Sequence, residues 1–163
     1  MNKAYGKWAP SLLMFLLFVA CTSERPLQED LINDPFPAAQ AELREVVESI
    51  VKDAMTANIE GLQAAHLDSE KFTKFGPRSF NRQDVASTNE SEAAFFGSIS
   101  NFNQEVRELK IDVFGDIGIA TYYPHVSFVQ DGEEKTASGR QTLVFLETAN
   151  GWKIVHEHGT PKK

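Results

Sequence analysis

Near the end of the chain, Gly151-Trp-Lys-Ile-Val-His-Glu-His-Gly-Thr-Pro161 places His156 and His158 two residues apart. On a strand that spacing puts both imidazoles on one face with Trp152 and Ile154, and puts Lys153, Val155 and Glu157 on the other. As metal ligands the pair would need a third donor from His66, His125 or a carboxylate. No spaced Glu/Asp cluster accompanies them and the single Cys is distant, so neither a metal nor another cofactor is expected. The plainer reading is two partly buried imidazoles, hydrogen-bonded to backbone or to Arg140. As proton-transfer groups, either histidine would titrate near neutrality, at about 6.5 if unperturbed.

A carboxylate base is the other acid-base option. Asp68 and Asp112 are the candidates, with the phenol of Tyr122 or Tyr123 as donor to a ligand carbonyl. Neither aspartate lies in a motif that fixes a role, and solvation is the ordinary fate of such a residue. Nucleophilic catalysis has no support, because no Gly-x-Ser-x-Gly turn is present. No phosphate loop and no Gly-x-Gly-x-x-Gly occur, so no nucleotide cofactor is implied.

The elements that must position these groups are legible as periodicities. Leu43, Val46, Val47, Ile50, Val51, Ala54 and Ile59 form one apolar stripe, which predicts a helix over 38–58. Gly61 allows a break before a short second helix at Leu62–His66, and Phe72–Phe75 reads as a short strand stopped by Gly76-Pro77. Arg78 to Ser91 is polar and reads as a loop, followed by a third helix over Ser91–Ile99. The period then changes to two. Strands are predicted at 105–114, 118–129, 136–148 and 152–158, with turn chemistry at Gly115-Asp116, Asp131-Gly132 and Asn150-Gly151. Pro124 and Gly139 interrupt the second and third strands, so the sheet should be strongly curved. The expected fold class is α+β: a curved antiparallel four-strand meander wrapped around a long N-terminal helix plus two short helices.

The chain has 163 residues, 42% of them hydrophobic and 24% charged, enough for one domain with a real core. The net charge is −7, and without Lys3 and Lys7 the rest carries 14 basic against 23 acidic residues. That balance, without a basic run, argues against nucleic acid as a partner. Lys3 and Lys7 precede an apolar run, Ser11–Ala20, too short for a span of about 20 residues. Phe18-Val-Ala-Cys21 resembles the bacterial lipobox, with Phe18 where leucine is usual. The resemblance implies a signal peptide over 1–20, lipidation of Cys21, a Pro-containing tether to residue 37, a domain over 38–160 and a tail over 161–163. The chain would then be anchored in the bacterial cell envelope. In a Gram-negative cell Thr22, which is not Asp, implies the outer membrane facing the periplasm.

Gly139-Arg-Gln-Thr-Leu-Val144, a hairpin, and Gly151-Trp-Lys-Ile-Val-His-Glu-His158 together resemble the C-terminal signature of the SnoaL-like domains of the nuclear transport factor 2-like superfamily. Gly115-Asp-Ile-Gly-Ile-Ala120 is similar to that family's lead into its second long strand, and the element order agrees from about Ala38 to Thr160. The resemblance implies a cone-shaped sheet around the long helix, a pocket at the open end, and often a homodimer through the outer sheet face. It also implies that the Arg and His rows point inward, which makes Arg140, Thr142, Trp152, His156 and His158 pocket candidates. From the second strand either Thr121, Tyr123 and His125 or Ala120, Tyr122 and Val126 would join them. The implied function is binding of a small, partly apolar molecule with an anionic or carbonyl group near Arg140. The alternatives are an isomerase, dehydratase or cyclase acting in that pocket, and a dimerising interaction module with a vestigial one. Fold alone does not choose among them.

Overall fold

The computed structural model describes residues 30–77 and 79–162. Cys21 and the apolar run before it lie outside the described residues. Three helices, α1 (Pro37–Met55), α2 (Ile59–Ala65) and α3 (Val85–Gly97), accompany five strands: β1 (Thr73–Phe75), β2 (Ser100–Phe114), β3 (Ile117–Gln130), β4 (Glu133–Thr148) and β5 (Gly151–Pro161). All five strands belong to one curved, open sheet of order β1-β5-β4-β3-β2. Strands β2 to β5 make the expected antiparallel meander. The short β1 then adds in parallel to β5, so the sheet is mixed and has five strands rather than four. Among the described residues no helix is long and apolar enough to cross a membrane.

Helix α1 begins with Pro37, where a missing N–H is not needed. Its stripe buries Leu43, Val47 and Ala54. The hydroxyl of Thr56 donates to the Lys52 carbonyl at 2.9 Å, and Ala57, at φ 50°, turns the chain away. A Cβ on Gly118 of β3 would lie 2.3 Å from Leu43 Cδ2 and 3.3 Å from Trp152 Cζ3. Only a bare backbone lets α1 seat there, which gives Gly118 of the Gly115–Ala120 stretch its physical reason.

Helix α3 starts at Val85, six residues before the expected Ser91, inside the stretch that reads as a loop. Asp84 caps it: the Ser87 N–H donates to Asp84 Oδ1 at 2.8 Å, and the Asp84 N–H donates to Ser87 Oγ at 3.1 Å. Ser87, Thr88, Asn89 and Ser91 favour caps and turns over helix interiors, so the polar first half carries no apolar period. The turn between β3 and β4 has positive φ at both Asp131 (56°) and Gly132 (79°), as a tight hairpin requires.

Two of the long strands change phase midway. In β2 the register against β3 shifts between Arg107 and Lys110, with Glu108 at φ 55°. In β5 it runs Val144↔His156 and then Phe145↔Ile154, so Val155 is an extra residue. Strand β3 keeps its phase throughout: Gly118 and Ala120 are buried against α1, and Tyr122, Pro124, Val126 and Phe128 continue the row. A bulge moves every later side chain to the opposite face of the sheet.

Candidate ligand-binding cavity

On the inner face beyond the two bulges lies a cavity of about 370 Å³. One wall is aromatic. Phe95 and Phe96 of α3 meet Phe102 of β2 and Phe128 of β3 edge-on, with ring centroids 5.2–6.2 Å apart. The last turns of α1 contribute Ile50, Val51 and Ala54. A second, open groove of about 550 Å³ lies at the start of α1, lined by Leu31, Phe36, Ala39 and Phe114.

The opposing wall is charged. His66 ends α2, Lys74 is the middle residue of β1, Glu92 lies on α3 and Glu157 on β5. Lys74 Nζ is 2.5 Å from Glu92 Oε1 and 3.0 Å from Glu157 Oε1. His66 Nε2 stands 3.7 Å from Glu157 Oε2 and 3.9 Å from Glu92 Oε1. Its Nδ1 lies 3.0 Å from Asn89 Oδ1, an acceptor, so that nitrogen carries a proton. The Gln141 amide donates to Glu157 Oε1 at 2.9 Å. All four charged side chains are at most one-fifth exposed.

Burial alone would drive His66 towards neutrality, but the close approach of Glu157 and the charges of Glu92 and Glu157 raise its pKa above the ordinary value. Burial likewise opposes the Lys74 ammonium, and the same two carboxylates more than restore it. For Glu157 burial pushes upward, but the Lys74 charge and then the His66 contacts win and hold the pKa at about 2. With His66 protonated, two cations face two carboxylates and the wall is neutral. Tyr122 stays a neutral phenol, because burial and then the Glu157 charge push it up, with a smaller opposing effect from Gln104.

The row expected to run from Trp152 and Ile154 into His156 and His158 is broken by the bulge. Trp152 and Ile154 face α1 and the core, Glu157 and Gly159 face the cavity, and the two histidines lie on the outer sheet face. There His156 Nδ1 is 2.8 Å from Thr73 Oγ1, and Phe75 packs against both rings at 6.0 Å. On β4 the inward set is Gln141, Leu143 and Phe145, so Thr142, paired with His158, faces outward too. Arg140 is exposed at the cavity rim. Tyr122 is inside, whereas Tyr123 is 48% exposed and His125 bonds Ser138 at 2.8 Å. Asp68 is exposed, and Asp112 is ion-paired with Lys110 on the outer face.

His66, considered from sequence only as a third metal ligand, is thus the one histidine of the cavity. Its ring and the two carboxylates bring ligand atoms within 4.8 Å of one another, but the Lys74 ammonium already lies between the carboxylates where a cation would sit. Glu157 was hidden by the bulge. Lys74 and Glu92 carry no sequence signal, since a lysine in a short strand and a glutamate at the polar start of the expected third helix both look solvated.

The SnoaL-like domain family matches residues 43–161. Similar solved structures include a nuclear transport factor 2-like superfamily protein from Salmonella enterica serovar Typhimurium, with TM-score 0.71 and 19% identity over 78% of this chain and 93% of that one. A proposed dehydratase of the same family from Streptomyces avermitilis gives TM-score 0.72 at 14% identity, over 78% of this chain and 98% of that one. A protein of unknown function from Pseudomonas putida gives 0.67 at 17%, over 78% and 89%. No curated protein matches. Identities this low speak to the shared fold alone.

Proposed function

The chain belongs to the SnoaL-like domain family, and from that premise we propose that it binds a small, partly apolar molecule in its inner cavity, as a protein tethered to the bacterial cell envelope. One observation carries the reading: an aromatic wall faces a buried ion cluster across a cavity of about 370 Å³, within the range of small-molecule sites. Stability does not call for such a cluster, because apolar residues of similar volume usually serve as well or better. The neutral phenol of Tyr122 is a donor suited to a ligand carbonyl. An anionic group would have to stay at the rim, near Arg140.

Thermal denaturation of the mature protein against a panel of sterol-like compounds, polyketides and aromatic carbonyl compounds tests this. A concentration-dependent rise in Tm with at least one class is expected. No rise with any class would count decisively against a binding role. For the tether, Cys21→Ser should leave the precursor unprocessed and free of the membrane fraction; unchanged processing and membrane association would remove that part.

The acid-base enzyme reading draws support from His66 beside two carboxylates. Any ligand found can be incubated with the protein and followed by chromatography and mass spectrometry. An unchanged ligand would leave binding as the function. The dimer reading draws on Phe75 and Tyr123, 40% and 48% exposed on the outer sheet face. Sedimentation at rising concentration should show a monomer–dimer equilibrium that Tyr123→Lys abolishes.

A further inference from the structure

We infer that the cavity selects a neutral molecule whose hydroxyl group donates a hydrogen bond to Oε2 of Glu92, with its apolar body against the Phe95–Phe96 wall. The inference deepens the small-molecule reading above and rests on it.

The oxygens of the two carboxylates are not equally occupied. For Glu157, Oε1 accepts from Lys74 and Gln141, and Oε2 lies 3.7 Å from His66 Nε2. Glu92 Oε1 accepts from Lys74 and faces His66. Glu92 Oε2 is buried and meets no donor among the described residues. Glu92 is also a cavity-lining residue, one turn of α3 before Phe95 and Phe96. A cavity-lining side chain thus holds an acceptor with its hydrogen bond unmade, which is costly when buried, and a slight turn of the Glu92 carboxylate towards the cavity is needed for a ligand to reach it.

Charge then decides which donor fits. With His66 protonated, a ligand ammonium would be a third cation beside Lys74 and His66, with only two carboxylates to serve all three. A ligand carboxylate would meet the open oxygen of Glu92, with Lys74 and His66 already committed. A hydroxyl completes Glu92 without changing the balance, and its own oxygen can accept from the neutral Tyr122 phenol in the same cavity.

A matched set of naphthalene probes tests this by calorimetry on the mature protein at about pH 6, below the ordinary histidine value, where the raised His66 is protonated: 2-naphthalenemethanol, 2-acetonaphthone, 2-naphthylmethylamine and 2-naphthoate. The alcohol should bind about tenfold tighter than the other three, the worth of one good hydrogen bond to a charged acceptor. In Glu92→Gln the amide can present N–H where the open oxygen was. The alcohol should then weaken by about tenfold and the ketone gain, a reversal that mere loosening of the cavity would not produce. Tightest binding by the amine or the carboxylate to the native protein would overturn the inference while leaving the cavity a binding site. So would an alcohol affinity unchanged in Glu92→Gln. Binding of no probe would overturn the cavity reading itself, and the inference with it. The ranking on the native protein decides the matter even if the variant folds poorly.

Discussion

One sheet lines two different interiors. Against the first half of α1 it presents Val113, Ala120, Phe145, Trp152 and Ile154, which with Leu43 and Val47 form a dry apolar core. Beyond the bulges the same inner face presents Gln104, Tyr122, Gln141 and Glu157, with Lys74 and Glu92 from flanking elements. The first half is close-packed around a glycine contact, and the second surrounds open space with buried charge. The difference separates two jobs. The apolar half is where folding energy is gained by burial, and the polar half holds groups that cost desolvation and return it only to one another.

Denaturation of variants can break or sharpen that division. In the apolar half Phe145→Ala, at a fully buried site, should cost about 3–5 kcal/mol while leaving any ligand preference intact. In the polar half Lys74→Ala should cost a comparable amount, about 3–5 kcal/mol, because it strands two buried carboxylates. The combined change of His66, Lys74, Glu92 and Glu157 to apolar residues of like volume should leave stability near or above that of the native protein and remove binding. A large loss in that variant would show that the ion cluster is needed for stability. Gly118→Ala, where the new Cβ meets Leu43, should cost about 1–3 kcal/mol by overpacking.

The pH profile gives a smaller and signed effect. Glu157 is held at about 2, below its ordinary 4.5, so its contribution is present above 4.5 and is lost as the pH falls towards 2. His66 is raised above 6.5, so its contribution is complete below 6.5 and is lost as the pH rises through its folded value. Urea midpoints should therefore be highest between these limits. Glu157→Gln should flatten the acid limb and His66→Asn the alkaline one. On the outer face, Glu105→Ala, which removes an exposed pair with Arg107, should move neither midpoint nor profile.

The division also explains what was legible. Element order, the α1 stripe and the hairpin turns follow from local periods and turn residues, and they stand close to where the sequence puts them. The cavity does not follow from local pattern. Its phase depends on Glu108 and Val155, which look like ordinary strand residues and declare themselves as bulges only through pairing with neighbouring strands. Strict alternation therefore carries the inward row from Ile154 to His156, when the fold carries it to Glu157. Helix α3 was hidden only in its first half, and for a different reason, since Glu92 falls within the part expected over Ser91–Ile99. Its first half is built of residues whose side chains bond their own backbone, as Ser91 Oγ does to the Thr88 carbonyl at 2.9 Å.

In genetic terms, the Val155 bulge makes the site depend on the count of codons as much as on their identity. An in-frame loss of that one codon would leave Trp152 and Ile154 in the core. If the pairing beyond it stayed in place, His156 and His158 would move to positions 155 and 157 of the shortened chain and keep the outer face, and the sheet would have to flatten. Strict alternation through the shortened strand gives the same faces, with both imidazoles outward and the glutamate following Ile154 inward at an even spacing. What the extra codon encodes is therefore the bend of β5 at the mouth of the cavity, and not the face on which the carboxylate stands.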